Sequence, residues 1–133
     1  MINSPYQAYQ QSSVQTASRG QLVIMLYEGA IRFTRAGAES IRNRNYESAN
    51  TNLKKAQSVI NELIASLDRS FEISNDLVRI YEYMLHLLIQ SNIKKDAAPA
   101  MEVIGHLTEL RDAWKQIMKG TSANVQMNTG SVQ

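Results

Sequence analysis

The stretch ANTNLKKAQSVINELIASL, residues 49–67, carries the clearest structural signal in this chain of 133 residues. Its apolar residues recur in alternating steps of four and three, and they are Ala49, Leu53, Ala56, Ile60, Leu63 and Leu67. This spacing places them on one face of an α-helix, as in helices that pack against other helices. The stretch therefore predicts a helix with a continuous apolar stripe, and an all-α fold around it.

A capping box marks the start of the preceding helix. Ser18 is followed three residues later by Gln21, and in this motif each side chain accepts a hydrogen bond from a backbone N–H that the first helical turn leaves free. We expect this first helix to run from Arg19 to about Arg42, because the polar sequence RNRNYE then interrupts the pattern.

Two more helices follow the quoted stretch. After a turn around DRSF, residues 68–71, a third stripe consists of Ile73, Leu77, Ile80, Met84 and Leu87. Asp96 is expected to cap a fourth helix, because Pro99 then falls in the first turn, where no intrahelical N–H is lost. Its stripe consists of Ala100, Val103, Leu107, Leu110, Trp114 and Ile117. We expect Gly120 to end this helix.

Four helices joined by short turns predict an antiparallel up-down-up-down four-helix bundle. The bundle is expected to cover residues 18–119, after a mobile N-terminal arm at residues 1–17. Residues 120–133, GTSANVQMNTGSVQ, are small and polar and show no periodicity. We therefore expect a disordered C-terminal tail.

Composition narrows the class of protein. Hydrophobic residues make up 44% and charged residues 20%, as in ordinary soluble domains, and the absence of cysteine excludes disulfides and thiolate metal sites. There is neither a signal-peptide pattern nor an apolar run of membrane-spanning length, so we expect a cytoplasmic protein. The net charge of +2 is too small to indicate nucleic acid, and the basic clusters at residues 42–45 and 94–95 fall in predicted turns.

Several apolar residues lie outside the predicted stripes. They are Ile24, Tyr27 and Ile31 on the first helix, Val78, Tyr81, Leu85 and Leu88 on the third, and Met101, Ile104 and Met118 on the fourth. For any one of them, burial at the flank of a wide core face is an equally good interpretation. Together they favour an apolar surface that a partner covers.

Two glutamate and histidine pairs raise the alternative of a di-metal or phosphotransfer bundle. His86 follows Glu82 by four residues, and His106 follows Glu102 by four. A ferritin-like site requires a spacing of three, and the residues after His106 supply no lysine or glycine that would hold a phosphate. The pattern therefore favours an interaction protein without catalysis, metal, cofactor or small-molecule substrate.

Six segments in order from residue 6 to about residue 116 resemble the flagellar export chaperone family FliS. They are YQAYQQSSVQTASRGQL, LYEGAIRF, KAQSVINEL, LVRIYEYM, SNIKKD and RDAWKQ. The resemblance implies a cytoplasmic type III export chaperone. Its client would be the C-terminal region of flagellin, which is disordered in the monomer and helical in the filament. Binding would prevent premature polymerisation and deliver flagellin to the export gate.

The resemblance also assigns a role to the N-terminal arm. Members of the family use this arm to dock on the export gate, with aromatic or aliphatic residues at the positions of Tyr6 and Tyr9. We expect the arm to pack across the bundle in the free protein until the client displaces it. The predicted flagellin-binding residues are the apolar ones outside the stripes: Ile24, Tyr27, Ile31, Val78, Tyr81, Leu85, Leu88, Met101 and Ile104.

Overall fold

The computed structural model describes residues 18–132, with side chains up to residue 120. This part of the chain consists of four α-helices and contains no strand: α1 (Arg19–Arg42), α2 (Tyr46–Ala65), α3 (Ile73–Lys94) and α4 (Ala97–Val132). The predicted all-α fold is confirmed. None of these helices combines the length and apolar character that would be needed to cross a lipid bilayer.

The helices form an antiparallel ring. Each helix contacts its neighbours along the chain, and α4 returns to contact α1. The end of α3 meets the start of α2, where Asn92 Nδ2 donates to Asn50 Oδ1 at 2.8 Å. Lys115 Nζ on α4 lies 3.7 Å from Glu28 Oε2 on α1. The up-down-up-down bundle predicted from the sequence is the observed arrangement.

The predicted helix caps at the starts of α1 and α4 are present. Ser18 Oγ accepts a hydrogen bond from the Gln21 N–H at 3.2 Å, and Gln21 Oε1 accepts one from the Ser18 N–H at 2.8 Å. Asp96 Oδ1 accepts a hydrogen bond from the Ala98 N–H at 3.0 Å at the start of α4. These side chains satisfy N–H groups that the first helical turn leaves without a partner.

The end of α4 differs from the sequence expectation. The helix continues through Gly120 to Val132, a length of 36 residues, whereas we expected a stop at Gly120 and a disordered tail at residues 120–133. A glycine commonly ends a helix by taking the left-handed conformation. No glycine in the described part of the chain has a positive φ, so the backbone at Gly120 stays helical. Gln133 lies outside the described residues.

The predicted stripe of α2 forms the centre of the core. Five of its six members are fully buried: Ala49, Leu53, Ala56, Ile60 and Leu63. The first half of the α4 stripe is buried as well, with Ala100, Val103 and Leu107 inside. Further along α4 the stripe turns outward, because Leu110 and Trp114 are half-buried and Ile117 is exposed.

The predicted stripe of α3 is in the wrong register over its first half. Ile73 and Ile80 are 65% and 38% exposed, and the buried face instead carries Ser74, Tyr81, Met84, Leu87, Leu88 and Ser91. The two serines are polar, so the sequence pattern did not count them as core. Each is buried because its hydroxyl donates to a backbone carbonyl of a helix connection, Ser74 to Asp68 and Ser91 to Asp96.

Gly37 allows α1 and α2 to approach closely. A Cβ atom at this position would lie 2.7 Å from Cγ and Cδ2 of Leu53, which is fully buried. Such a distance is far inside van der Waals contact, and a packed core has little space into which Leu53 could move. The absence of a side chain at Gly37 therefore sets the spacing of the two helices.

We predict that Gly37→Ala destabilises the bundle by about 1–3 kcal/mol through overpacking. Gly105→Ala is the matched control, because a Cβ atom there meets nothing within 4 Å. At this open helical position alanine should stabilise the protein by up to about 1 kcal/mol. Urea denaturation of both variants measures the difference. A stable Gly37→Ala variant would show that the helices move apart at little cost.

Candidate protein-binding surface

A cluster of three aromatic side chains, two of them fully buried, determines which face of α3 turns inward. The hydroxyl groups of Tyr27 on α1 and Tyr81 on α3 are within hydrogen-bonding distance, and both side chains are fully buried. Trp114 on α4 donates its Nε1–H to the Tyr27 oxygen at 3.2 Å. The tyrosine rings lie 6.4 Å apart in a tilted arrangement. One buried oxygen atom thus connects three helices.

Burial makes both tyrosines hard to ionise. Burial raises the pKa of Tyr27, while the hydrogen bonds to Tyr81 and Trp114 partly oppose that shift. The pKa of Tyr81 is also raised, first by burial and then by Tyr27. The neutral forms are favoured in the folded state, so their contribution to stability is present below about pH 10 and is lost as the pH rises further.

This cluster corrects the sequence expectation for the binding residues. Of the nine residues predicted to bind flagellin, the structure buries five in the core: Tyr27, Ile31, Tyr81, Leu88 and Ile104. They cannot form an uncovered surface, because the bundle helices bury wider arcs than the predicted stripes. Ile24, Val78 and Leu85 are half-buried, and only Met101, at 41% exposure, is open to solvent. Tyr6 and Tyr9 lie outside the described residues.

An apolar groove between α3 and α4 takes the place of that predicted surface. It has a cavity volume of about 460 Å³ and is lined by Arg79, Ile80, Tyr83, His106, Glu109 and Leu110. Ile80 is turned outward because its neighbour Tyr81 points into the core. Ile80 and Leu110 belong to the predicted core stripes, so periodicity alone did not reveal this α3–α4 groove.

A polar cluster borders the α3–α4 groove. Tyr83 on α3 donates its hydroxyl to Glu102 Oε2 on α4 at 2.7 Å, and His106 Nε2 lies 3.0 Å from the same oxygen. The hydrogen bonds from His106 and Tyr83 lower the pKa of the Glu102 carboxyl, and Glu102 in turn raises the pKa of Tyr83. Glu102 is therefore an anion at neutral pH that bridges the two helices beside the groove.

A second cavity lies where α1 begins and α2 connects to α3. This end cavity has a volume of about 320 Å³, and its apolar lining includes Val23, Leu67, Phe71, Ile73, Leu77 and Trp114. Phe71 is largely exposed although it is a large aromatic residue. A large aromatic residue in a predicted turn is a sequence signal for a surface site, and the predicted binding residues did not include Phe71.

The groove and the end cavity belong to one apolar surface. Ile73 lies seven residues before Ile80, and Ile117 lies seven residues after Leu110, so each pair shares a helix face. Because α3 and α4 are antiparallel, the exposed Ile73 and Ile117 both extend the α3–α4 groove toward the end cavity. We call this combined surface, formed by the α3–α4 groove, Ile73, Ile117 and the end cavity, the apolar surface.

The glutamate and histidine pairs do not assemble into a metal site in the described part of the chain. No three side chains of histidine, cysteine, aspartate or glutamate come together there in a group that could hold a metal ion. Glu102 and His106 are in contact, but their third partner is Tyr83. The observed geometry is that of a structural hydrogen-bond cluster between α3 and α4.

Comparison with known proteins agrees with this arrangement. The family model described as flagellar protein FliS matches residues 1–121. The chain belongs to the FliS family. It is 47% identical over 118 residues to the flagellar secretion chaperone FliS of Bacillus subtilis strain 168, covering 89% of each chain. The FliS chaperone of Escherichia coli K12 is 32% identical over 123 residues, which are 87% of this chain and 90% of that protein.

A third FliS relative, from Salmonella typhimurium strain LT2, is 36% identical over 110 residues, with 80% of this chain and 82% of that protein covered. Family membership identifies this chain as a flagellar secretion chaperone. A chaperone of the flagellar secretion system implies a client protein.

We predict that Tyr27→Phe lowers the free energy of unfolding by about 1–3 kcal/mol, because Trp114 Nε1 and the Tyr81 hydroxyl lose their common partner. Tyr46→Phe is the control, since Tyr46 is 46% exposed. Urea denaturation at neutral pH compares the two variants. The loss of stability above pH 10 should also be smaller in Tyr27→Phe, which has one buried ionisable group fewer. Equal stability of both variants would show that the hydroxyl network contributes nothing.

Proposed function

We propose that this FliS family member binds the C-terminal region of flagellin in the cytoplasm, keeps it from polymerising and delivers it to the export gate. The observation that carries the proposal is the apolar surface, found in a chain that belongs to a family of secretion chaperones. An uncovered apolar surface of this kind on a soluble domain indicates a protein partner.

The form of the apolar surface suits an amphipathic helix. The α3–α4 groove lies between two antiparallel helices, and its floor is apolar while Arg79, Glu109 and His106 stand at its edges. A client helix would place its apolar side chains on Ile80 and Leu110 and keep its polar side toward solvent. The charged edges would orient the helix by pairing with its polar residues.

The end cavity would take a second part of the client. It is bounded by α1, α3, α4 and the α2–α3 connection rather than by two helices alone. Ile73 lies at its edge and also continues the groove. A disordered chain that wraps around the bundle could therefore contact both parts in sequence. In such binding the client becomes ordered, and part of the interaction free energy is spent on that ordering. The affinity is therefore lower than the contact area alone would give, which allows release at the gate.

The start of α1 supports a role for the arm in this exchange. Arg19 and Gly20, the first residues of α1, line the end cavity, so the arm is attached at the edge of the apolar surface. Seventeen residues can extend to about 55 Å, enough to reach either part of that surface. We propose that the arm covers part of the apolar surface until the client displaces it, which exposes Tyr6 and Tyr9 to the gate.

We predict that Ile80→Asp weakens binding of a flagellin C-terminal peptide at least about a hundredfold, because it places a charge in the apolar groove. Ile93→Asp is the matched control: it is the same substitution on the same helix, at a residue 76% exposed and outside the apolar surface. Calorimetric titration measures both, and circular dichroism should show intact helices, since neither isoleucine is a core residue.

Two results would contradict the client proposal. The first is absence of peptide binding to the unmodified protein at micromolar concentration, which would remove flagellin as the client. The second is an equal loss of affinity in Ile80→Asp and Ile93→Asp, which would place the binding site outside the α3–α4 groove.

We predict that the double change Tyr6→Ala with Tyr9→Ala weakens gate binding of the loaded chaperone and leaves client affinity equal or slightly higher. The control is Gln7→Ala with Gln10→Ala, which alters neighbouring polar residues of the same arm. Pull-down of the gate protein and peptide titration measure the two affinities separately. A loss of client affinity with normal gate binding would show that the arm holds the client, and the exchange model would fail.

A further inference from the structure

Charged residues are divided unevenly between the two halves of the bundle. The half that contains the α1–α2 and α3–α4 connections, residues 31–55 and 84–107, carries eight basic and four acidic residues, a formal charge of +4. The opposite half carries the other six basic and eight acidic residues, a formal charge of −2. The hydrogen bond between Asn92 and Asn50 shows that both connections lie at one end. We call this end the turn end.

The four acidic residues of the turn end, Glu39, Glu47, Asp96 and Glu102, leave it with an excess of four positive charges. Glu39 pairs with Arg42 at 3.8 Å, and Glu102 is bonded to Tyr83 on α3 and to His106 on α4. Asp96 accepts a hydrogen bond from the first turn of α4. Arg35, Arg44 and Lys94 are exposed, so the surface of the turn end is positive.

The backbone itself places basic side chains at the tip of the turn end. Arg44 and Lys95 have φ values of 59° and 52°, a left-handed conformation that glycine adopts at the lowest cost. One of these residues lies in each of the two connections. The chain thus carries a basic residue in both tight turns where glycine would fit the backbone better.

Exposed apolar side chains accompany this charge. Ile93 in the last turn of α3 is 76% exposed, the largest fraction among the large apolar residues that the structure describes. Tyr46 at the start of α2 is also exposed, and its ring centre lies 6.0 Å from Lys95 Nζ. Protruding aliphatic and aromatic side chains among lysines and arginines are typical of proteins that bind at the membrane interface.

We propose that the turn end binds the surface of an anionic lipid bilayer. Its lysines and arginines would contact acidic headgroups, and Ile93 and Tyr46 would enter the boundary between headgroups and acyl chains. An acidic protein could match the charge, but it would need a fitted pocket for the protruding Ile93. A bilayer accepts such a side chain without one. Binding is weak and reversible, because neither a lipid anchor nor a long apolar face holds the protein there.

This inference goes beyond the proposed function and does not rest on it. The turn end contains neither the α3–α4 groove with Ile80 nor the end cavity, so membrane contact leaves the apolar surface open. Held on the cytoplasmic face of a membrane, a secretion chaperone would search for a membrane export gate in two dimensions instead of three.

Sedimentation of the full-length protein with lipid vesicles tests the proposal. Vesicles of phosphatidylglycerol and phosphatidylcholine should bind the protein, and vesicles of phosphatidylcholine alone should not. Raising NaCl from about 0.05 M to about 0.5 M should weaken binding strongly, because salt screens exposed charges.

Two triple variants with equal loss of charge locate the site. The turn-end variant is Arg35→Gln, Arg44→Gln and Lys94→Gln, and the matched control is Arg69→Gln, Arg79→Gln and Lys119→Gln; all six side chains are exposed. We expect the turn-end variant to lose vesicle affinity about a hundredfold and the control to change by less than about threefold. Ile93→Asp should also weaken vesicle binding, whereas Ile80→Asp should not.

Three outcomes would overturn the proposal. The first is absence of binding to anionic vesicles. The second is an equal loss of vesicle affinity in the two triple variants. The third is binding of poly-L-glutamate through the turn end without vesicle binding, which would indicate an acidic protein partner. Should the turn-end triple variant fail to fold, Lys94→Gln against Lys119→Gln gives the same comparison with one charge each. Flagellin peptide binding should be unchanged in the turn-end variants, so failure of this inference is distinguishable from failure of the client proposal.

Discussion

The hydroxyl oxygen of Tyr27 is the atom on which the arrangement of three helices depends. It lies in the core, where an unpartnered polar group is costly, and both Tyr81 and Trp114 approach it. With Tyr81 directed inward, its neighbour Ile80 lies about 100° around the helix and is 38% exposed. The same rotation exposes Ile73 and Tyr83. A polar contact inside the bundle therefore decides which apolar residues are available outside it.

Some elements of this structure could be predicted from the sequence, and the reason is specific to each. The α2 stripe is continuous and purely apolar, so periodicity alone identified its buried face. The capping box at Ser18 depends only on residues three apart, and it is present as expected. The face of α3 could not be read in the same way, because Ser74 and Ser91 are buried through carbonyl partners in the adjacent helix connections. Local patterns do not reveal such partners.

The candidate site, too, depends partly on local sequence patterns and partly on contacts that only the folded structure shows. The sequence pattern selected Tyr81 and Ile104 as surface residues, and both lie in the core, whereas Ile80, which it assigned to the core, lines the α3–α4 groove. A residue one position away in a helix points about 100° to the side, so a register error of one residue is enough to assign a residue at the edge of the core face wrongly. The molecule that results has two distinct surfaces: an apolar one between α3, α4 and the start of α1, and a basic one at the turn end.

The order of helix contacts also bears on how the chain folds as it is synthesised. Contacts between α1 and α2, α2 and α3, and α3 and α4 join elements that are adjacent in sequence, and such local contacts favour rapid folding. The contact between α1 and α4 is different, because it joins the first and the last helix, which are far apart in the sequence. Trp114 cannot reach Tyr27 until α4 has left the ribosome. A nascent chain that stops short of α4 would therefore lack the hydrogen bond from Trp114 to the Tyr27 oxygen, and the bundle closes only after α4 has been synthesised.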